Sequence, residues 1–185
     1  KTAYEMQRSL VGSEMCIRNR LNLMSNEVQG EILKKSVKRG GLLVQKQARL
    51  LVNSKSGNLG RSIKERTEQR PSGASSTIYT NLDYGIYYEL GTGPNGQENH
   101  AGISPNVNPK YSQTGWMIPA DAMSVDDAEY YGLGVVESGG EVIGYRTNGM
   151  PARPYLYPAL HDQKKDITKE MNRYIGKEIV KVMKK

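Results

Sequence analysis

The chain has 185 residues, a formal net charge of +7 and a pI of about 9.4; 37% of its residues are hydrophobic and none is phenylalanine. This length suits one domain, and the small apolar share predicts a modest core that needs support from other subunits. One cysteine excludes a disulfide framework within the chain, and no apolar run reaches membrane-spanning length. We therefore expect a soluble protein, without a membrane partner, that is made in a reducing cytoplasm.

The basic excess has three explanations: a nucleic acid, an acidic partner or simple solubility. The sequence has no run of five like charges and no basic cluster interleaved with stacking aromatic residues. Sequence-specific nucleic-acid binding is therefore the less favoured class.

Residues 1–20 read KTAYEMQRSLVGSEMCIRNR. The part SLVGSEMCIRNR resembles a translated sequencing adapter, apart from Asn19. We interpret this segment as non-native or disordered, so that Cys16 has no functional role and the protein proper begins near Leu21 or Met24. The alternative is an ordinary amphipathic N-terminal arm.

The next segment predicts one long helix over residues 24–53. Its apolar residues recur at steps of three or four, first at Leu21, Met24, Val28 and Ile32 and then at Val44, Ala48 and Leu51. Gly40 and Gly41 interrupt the run, and we expect a kink or break there because glycine weakens a helix. Residues 53–58 read as a stop, and residues 61–69 are ambiguous.

The middle of the chain predicts a turn at 70–76 and a strand at 76–80, which is rich in β-branched and aromatic residues. Asn81 then caps a short helix that Gly91 ends. On that helix one face is aromatic, formed by Tyr84, Tyr87 and Tyr88.

The second half contains fewer clear elements. Residues 94–109 read as a loop, Trp116 begins a strand that ends at Pro119, and residues 121–129 are acidic and irregular. Valines on both sides of Gly139-Gly140 predict a hairpin. A final helix over 158–182 has an apolar stripe at Leu160, Ile167, Met171, Tyr174 or Ile175, Ile179 and Val182.

These elements predict an α+β fold, because helices and strands do not alternate. We expect a small antiparallel or mixed sheet packed against the long N-terminal and C-terminal helices. The single domain covers residues 21–185, and residues 94–150 form an extended loop or hairpin inserted in it.

Candidate chemistry is sparse. Neither His100 nor His161 has a paired ligand at a metal-site spacing, and the acidic residues at 121–129 lack the spacing of a calcium loop. No serine lies in a nucleophile elbow. The sequence GTGPNG at 91–96 lacks the lysine of a phosphate loop and does not open a helix, so a chain reversal is the better interpretation. We predict no catalytic residue, no cofactor and no metal.

The final helix carries a basic stripe, which we define as Lys165, Lys169, Arg173, Lys177 and Lys181. A solvated polar face opposite the apolar stripe is the simplest explanation. The alternative is a surface that faces DNA phosphates without reading bases.

Three segments, in this order, resemble one family. SGNLGRSI (56–63) resembles "TG-x-L-x-x-SI", DYGIYYELGTG (83–93) resembles "YA-x-YVE-x-GTG", and TNGMPARPYLYPAL (147–160) resembles "T-x-GM-x-x-RPFL-x-PAL". The family is the HK97 gp10-like group of long-tailed bacteriophages, the tail-component or tail completion proteins. Gly85 replaces the usual alanine, Leu90 and Tyr155 stand where phenylalanine is frequent, and Gly60 replaces a common basic residue.

The resemblance implies a structural protein of the virion rather than an enzyme. Its relatives are similar to neck proteins that form rings between the head and the tail tube, in a prophage or a phage, assembled in the bacterial cytoplasm. The implied partners are further copies in a ring, hexameric or a multiple, together with head–tail connector and tail-tube or tail-terminator proteins; transiting DNA is a further candidate partner.

The segments that carry the resemblance supply the predicted assembly and structural residues. These are Gly57, Leu59, Ser62, Ile63, Tyr84, Tyr88, Glu89, Gly91, Thr92, Gly93, Arg153, Pro154, Tyr155 and Pro158. We expect Glu89 to receive a hydrogen bond or ion pair from Arg153, within or between subunits. Two rival functions are a DNA-binding module that uses the basic stripe and a hydrolase that pairs Glu89 with an acid from 121–129.

Overall fold

The computed structural model describes residues 26–54, 56–70 and 73–184. The predicted artefact at 1–20, with Cys16, and the start of the long helix at Leu21 and Met24 lie outside these residues. The helices are α1 (Asn26–Leu51), α2 (Asn58–Ser62), α3 (Gly85–Leu90), α4 (Gly93–Glu98), α5 (Val125–Tyr130), α6 (Leu156–His161) and α7 (Lys164–Met183). The strands are β1 (Lys64–Arg70), β2 (Gly73–Tyr79), β3 (Trp116–Pro119), β4 (Gly134–Ser138) and β5 (Glu141–Thr147), and Ala120–Ala122 forms a 3-10 turn.

This content confirms the α+β class, with two small antiparallel sheets where one was expected. Contacts divide the chain into two compact units. Unit 1 contains the described part of Lys1–Gln45, then Lys64–Tyr79 and the described part of Gln163–Lys185. Unit 2 contains Lys46–Ile63 and Thr80–Asp162. No helix among the described residues is both long and apolar enough to cross a membrane.

Unit 1 packs the β1–β2 hairpin and α7 onto α1, and the expected kink in α1 is wrong. The helix runs unbroken through Gly40 and Gly41, which are both buried. A Cβ on Gly40 would lie 3.0 Å from Ile167 of α7, and one on Gly41 would lie 2.0 Å from the Ser76 hydroxyl of β2. Tertiary contact therefore outweighs the low helix propensity of glycine.

Replacing Gly41 with alanine is expected to lower the free energy of unfolding by about 1–2 kcal/mol, because the new methyl group overlaps Ser76. The matched control is Gly176→Ala on α7, where a Cβ meets nothing within 4 Å. That variant should gain up to about 1 kcal/mol from helix propensity alone. Urea unfolding of both variants measures the difference, and equal gains in both would contradict a packing role for Gly41.

Unit 2 contains the three-stranded sheet in the order β3-β5-β4. The predicted strand at Trp116 and the hairpin around Gly139-Gly140 are both confirmed. Tyr145 of β5 is almost fully buried, and its hydroxyl donates to the Met123 carbonyl at 3.3 Å. The segment 94–150 thus contains the predicted hairpin together with further helices and a third strand, and Ser124 caps α5 in the stretch predicted to be irregular.

Two helix boundaries differ from the predictions. Asn81 does not cap α3, which begins at Gly85 after a turn in which Thr80 accepts a hydrogen bond from the Leu82 N–H at 3.2 Å. The predicted final helix is two helices, α6 and α7, separated by residues 162–163. Neither residue is glycine or proline, so no local signal marks this break.

Candidate functional site

The three segments that carry the family resemblance meet in unit 2, and we call this region the junction: residues 56–63, 83–93 and 147–160. Leu59 and Ile63 are fully buried, and the Arg49 guanidinium donates to the Ile63 carbonyl at 2.7 Å. The Cβ position of Gly85 lies 3.4 Å from Leu59, which brings the first segment against the second. Segments that are far apart in sequence therefore form one packed structure.

Glu89 joins the second segment to the third through the start of α6. Its carboxylate accepts hydrogen bonds from the backbone N–H groups of Tyr155 at 2.6 Å, Leu156 at 2.9 Å and Tyr157 at 3.0 Å. The first N–H groups of a helix have no partner within the helix, and a negative charge is favourable beside them. Glu89 thus acts as a cap supplied from a distant part of the chain.

The expected pairing of Glu89 with Arg153 is wrong within the chain. The backbone N–H of Arg153 donates to the Tyr88 carbonyl at 2.9 Å. The guanidinium of Arg153 lies 5.9 Å from the centre of the Tyr88 ring. This distance suits a cation–π contact. Arg153 therefore binds the residue next to Glu89, and the sequence did not distinguish the neighbouring positions.

Tyr88 is the one tyrosine of the predicted aromatic face that the structure buries, with 7% of its surface exposed. Its hydroxyl donates to the Asn53 carbonyl at 2.8 Å and accepts from the Asn53 N–H at 3.2 Å. Its ring meets the Tyr155 ring edge-on at 6.0 Å. Tyr84 and Tyr87 are instead 43% and 56% exposed, so Tyr88 alone of the three is buried.

Tyr155 and Gly85, which both depart from the family pattern, contact each other. The Tyr155 hydroxyl lies 3.1 Å from the position that a Cβ on Gly85 would occupy. The same hydroxyl lies 3.5 Å from the Gly85 carbonyl, to which it donates. The Thr80 Cγ2 lies still closer to that Cβ position, at 2.6 Å, so the Thr80 and Tyr155 side chains together occupy the space that an alanine at position 85 would need.

Burial, and to a smaller extent the nearby Glu89 charge, raise the pKa of the Tyr155 phenol to about 12. The folded-state pKa is above the ordinary value of about 10, so the neutral phenol contributes its full stability below pH 10. That contribution is lost as the pH rises from 10 through 12. We expect the loss to reach about 2–3 kcal/mol for a fully buried ring.

This alkaline loss is measurable as a falling urea midpoint between pH 9 and pH 12. Tyr155→Phe should flatten the fall, whereas the matched Tyr87→Phe, at an exposed ring, should leave it as in the wild type. Parallel curves for the wild type and Tyr155→Phe would contradict the assignment.

The Gly91-Thr92-Gly93 turn is clasped to the third segment. Thr92 donates its N–H to the Met150 carbonyl at 2.9 Å, and its hydroxyl accepts from the Met150 N–H at 3.1 Å. Gly91 and Gly93 have φ angles of 79° and 60°. The chain reversal is thus confirmed, but the statement that this stretch opens no helix is wrong, since α4 begins at Gly93.

The remaining predicted assembly residues lie at turns, at a helix start or in packing contacts. Gly57 has a φ angle of 65° and precedes α2, and the Ser62 hydroxyl lies 2.6 Å from the Thr80 hydroxyl. Pro158 lies in the first turn of α6, where its missing N–H costs nothing. Pro154 lies 3.3 Å from the Cβ position of Gly102, so it contacts the loop after α4.

The hydrolase alternative requires Glu89 to meet an acid from 121–129. In the part of the chain that the structure describes, no group of three histidine, cysteine or acidic residues can hold a metal ion. Three N–H groups donate to the Glu89 carboxylate. Among the described residues, no hydrogen bond joins this carboxylate to an acidic residue at 121–129. The arrangement favours a rigid joint over the convergent pocket that the hydrolase alternative requires.

The basic stripe is exposed along α7 in unit 1, as expected. Two of its cations have partners on the same helix: Arg173 pairs with Glu170 at 2.7 Å and Lys181 pairs with Glu178 at 2.6 Å. A hydrogen bond from Arg173 lowers the pKa of the Glu170 carboxyl. Glutamates therefore offset part of the positive charge, and the stripe is not uniformly cationic.

Comparisons with known proteins agree with the resemblance. The family model described as "Bacteriophage HK97-gp10, putative tail-component" matches residues 17–91. The match contains the segment 56–63 and most of 83–93, while 147–160 lies beyond it. Neither the curated proteins nor the solved structures gave a match. Over residues 17–91, the chain is therefore similar to the HK97 gp10-like family of bacteriophage tail components.

Proposed function

We propose that this tail component is a neck protein of a long-tailed phage or prophage, which forms a ring that completes the tail and supports its joining to the head. The family supports a location in the virion. Assembly would take place in the cytoplasm of the bacterial host, with the head–tail connector and the tail-tube or terminator proteins as neighbours. Ring formation would use contacts repeated around a closed symmetry axis.

The observation that carries this proposal is the outward side of α3. The helix turns Glu89 and Tyr88 into the junction, and it exposes Ile86 by 58% and Tyr87 by 56%. Exposed aromatic and aliphatic side chains on a firmly held helix are typical of protein interfaces. Leu160 of α6, the helix that Glu89 caps, is also 58% exposed.

The test is assembly with the connector and tail-tube proteins encoded by the same phage, followed by light scattering and electron microscopy. We expect a ring whose mass is a multiple of the 20.6 kDa chain, hexameric or a multiple of six. The double variant Ile86→Glu/Tyr87→Glu should lose partner binding without a change in melting temperature. Val107→Glu, at a 42% exposed position in the loop after α4, is the control.

The second candidate is a non-specific DNA-binding module that uses the basic stripe. The exposure of Lys165, Lys169 and Lys177, to which the described residues give no ion pair, favours it. This function predicts a monomer that ignores tail proteins and binds duplex DNA with an affinity that falls steeply with salt. Such a result would replace the neck proposal.

A further inference from the structure

The two units of the chain carry opposite charge. Unit 2 contains ten Asp and Glu, all within residues 80–162, and seven Lys and Arg, of which four lie within residues 46–63. In unit 1, α7 contains six Lys and Arg but three Asp and Glu. One molecule therefore holds both a basic helix and an acidic region, each large enough to cover part of a protein interface.

Six of the ten acidic residues of unit 2 lie on α5, the turn before it and the β4–β5 hairpin. We define the acidic surface as Asp121, Asp126, Glu129, Glu137 and Glu141, which are all exposed. Ala128 of α5 is fully buried, and its carbonyl accepts from the Leu133 N–H at 2.9 Å, which holds α5 next to β4. The carboxylates thus project from a packed element rather than from a loop.

Apolar groups accompany the charges on both surfaces. Beside the acidic surface, Val125, Tyr130 and Tyr131 are 48%, 62% and 53% exposed, and the two tyrosine rings meet edge-on at 5.0 Å. On α7, Val180 is 49% exposed and lies beside Lys177, one helical turn before it. Exposed apolar groups among charges suit a protein partner better than phosphates, whose recognition is dominated by cations.

We propose that the basic stripe of one copy docks on the acidic surface of a second copy. The inference rests on the proposed ring and names the contact that builds it: a heterologous, head-to-tail contact, which repeats and closes. Opposite charges on the two surfaces steer and align the copies. The glutamates that offset Arg173 and Lys181 leave Lys165, Lys169 and Lys177 as the cations available to the neighbouring copy.

The experiment uses charge reversal in the full chain. One variant carries Lys165→Glu, Lys169→Glu and Lys177→Glu; the other carries Asp126→Lys, Glu129→Lys and Glu141→Lys. Sedimentation velocity should show that the wild type self-associates. The protein concentration at which half of the chains are associated should rise at least tenfold between 50 mM and 500 mM salt, because salt screens exposed charges. Each variant alone should stay at the mass of one chain, and an equimolar mixture should recover the larger species.

The matched control changes three exposed lysines outside α7, as Lys46→Glu, Lys64→Glu and Lys110→Glu, which alters the net charge by the same amount. It should self-associate as the wild type does, and circular dichroism checks that all variants fold. A wild type that stays monomeric at every concentration overturns the inference, as does a stripe variant that associates normally. If a stripe variant that associates normally no longer binds duplex DNA, the basic stripe is a DNA-binding surface instead.

The outcome for the neck proposal is separate. Binding to the connector and tail-tube proteins by a stripe variant that cannot self-associate would uphold the neck function. If the wild type itself does not bind the connector and tail-tube proteins, the neck function is wrong.

Discussion

Replacing Gly91 with alanine is expected to lower the free energy of unfolding by about 3–5 kcal/mol, because two costs combine. Gly91 has φ 79° and ψ 173°, a conformation that is almost restricted to glycine. Its Cβ would also lie 2.7 Å from the Ala152 nitrogen and 2.9 Å from the Met150 carbonyl oxygen. Both obstacles are backbone atoms, so no side-chain rotation relieves the overlap.

The matched control is Gly132→Ala, which has a φ of 67° but no atom within 4 Å of its Cβ position. It should cost about 1–2 kcal/mol, the price of the left-handed conformation alone. Urea unfolding of the two variants and the wild type measures the difference. Similar losses in both variants would show that close approach of the two backbones contributes nothing to stability.

Removing the Glu89 carboxylate is the second large effect. Glu89→Ala should lower the free energy of unfolding by about 3 kcal/mol, because three N–H groups lose a charged acceptor together. Glu89→Gln should cost less, since its amide keeps one acceptor oxygen. Chemical denaturation of both variants tests this order.

Hydrogen exchange gives a second measure of the same contact. The amides of Tyr155, Leu156 and Tyr157 should lose protection in Glu89→Ala, whereas those of β5 should change less. The control is Glu98→Ala, at an exposed carboxylate near the end of α4. If Glu89→Ala and Glu98→Ala were equally mild, Glu89 would not be a structural cap.

Local patterns were sufficient for part of the fold. The paired glycines with valines on both sides predicted the β4–β5 hairpin, and Trp116 to Pro119 predicted β3, because turn and strand preferences act over a few residues. The family segments also predicted that Glu89 matters. The predicted partner of Glu89, Arg153, is wrong within the chain. A cationic side chain can be read from the sequence, whereas backbone N–H groups that lack a partner at a helix start cannot.

Long-range packing determined the rest. Gly40 and Gly41 looked like breakers, but their lack of side chains lets Ile167 and Ser76 approach α1. The spacing of the three tyrosines predicts one aromatic face, but Tyr88 is buried whereas Tyr84 and Tyr87 are exposed. Which side of a short helix is covered depends on segments distant in sequence, and periodicity carries no information about them.

The clasp between Thr92 and Met150 has a consequence for how the chain tolerates change. Its two hydrogen bonds hold together the ends of the intervening segment, so the stretch between α4 and β3 is a loop within a folded segment whose two ends are fixed. The entropy of closing a flexible loop grows only logarithmically, by about 0.6 kcal/mol for each doubling of length. Insertions within residues 105–109, a part of this stretch without helix or strand, should therefore lengthen the chain at small cost while the junction keeps its geometry.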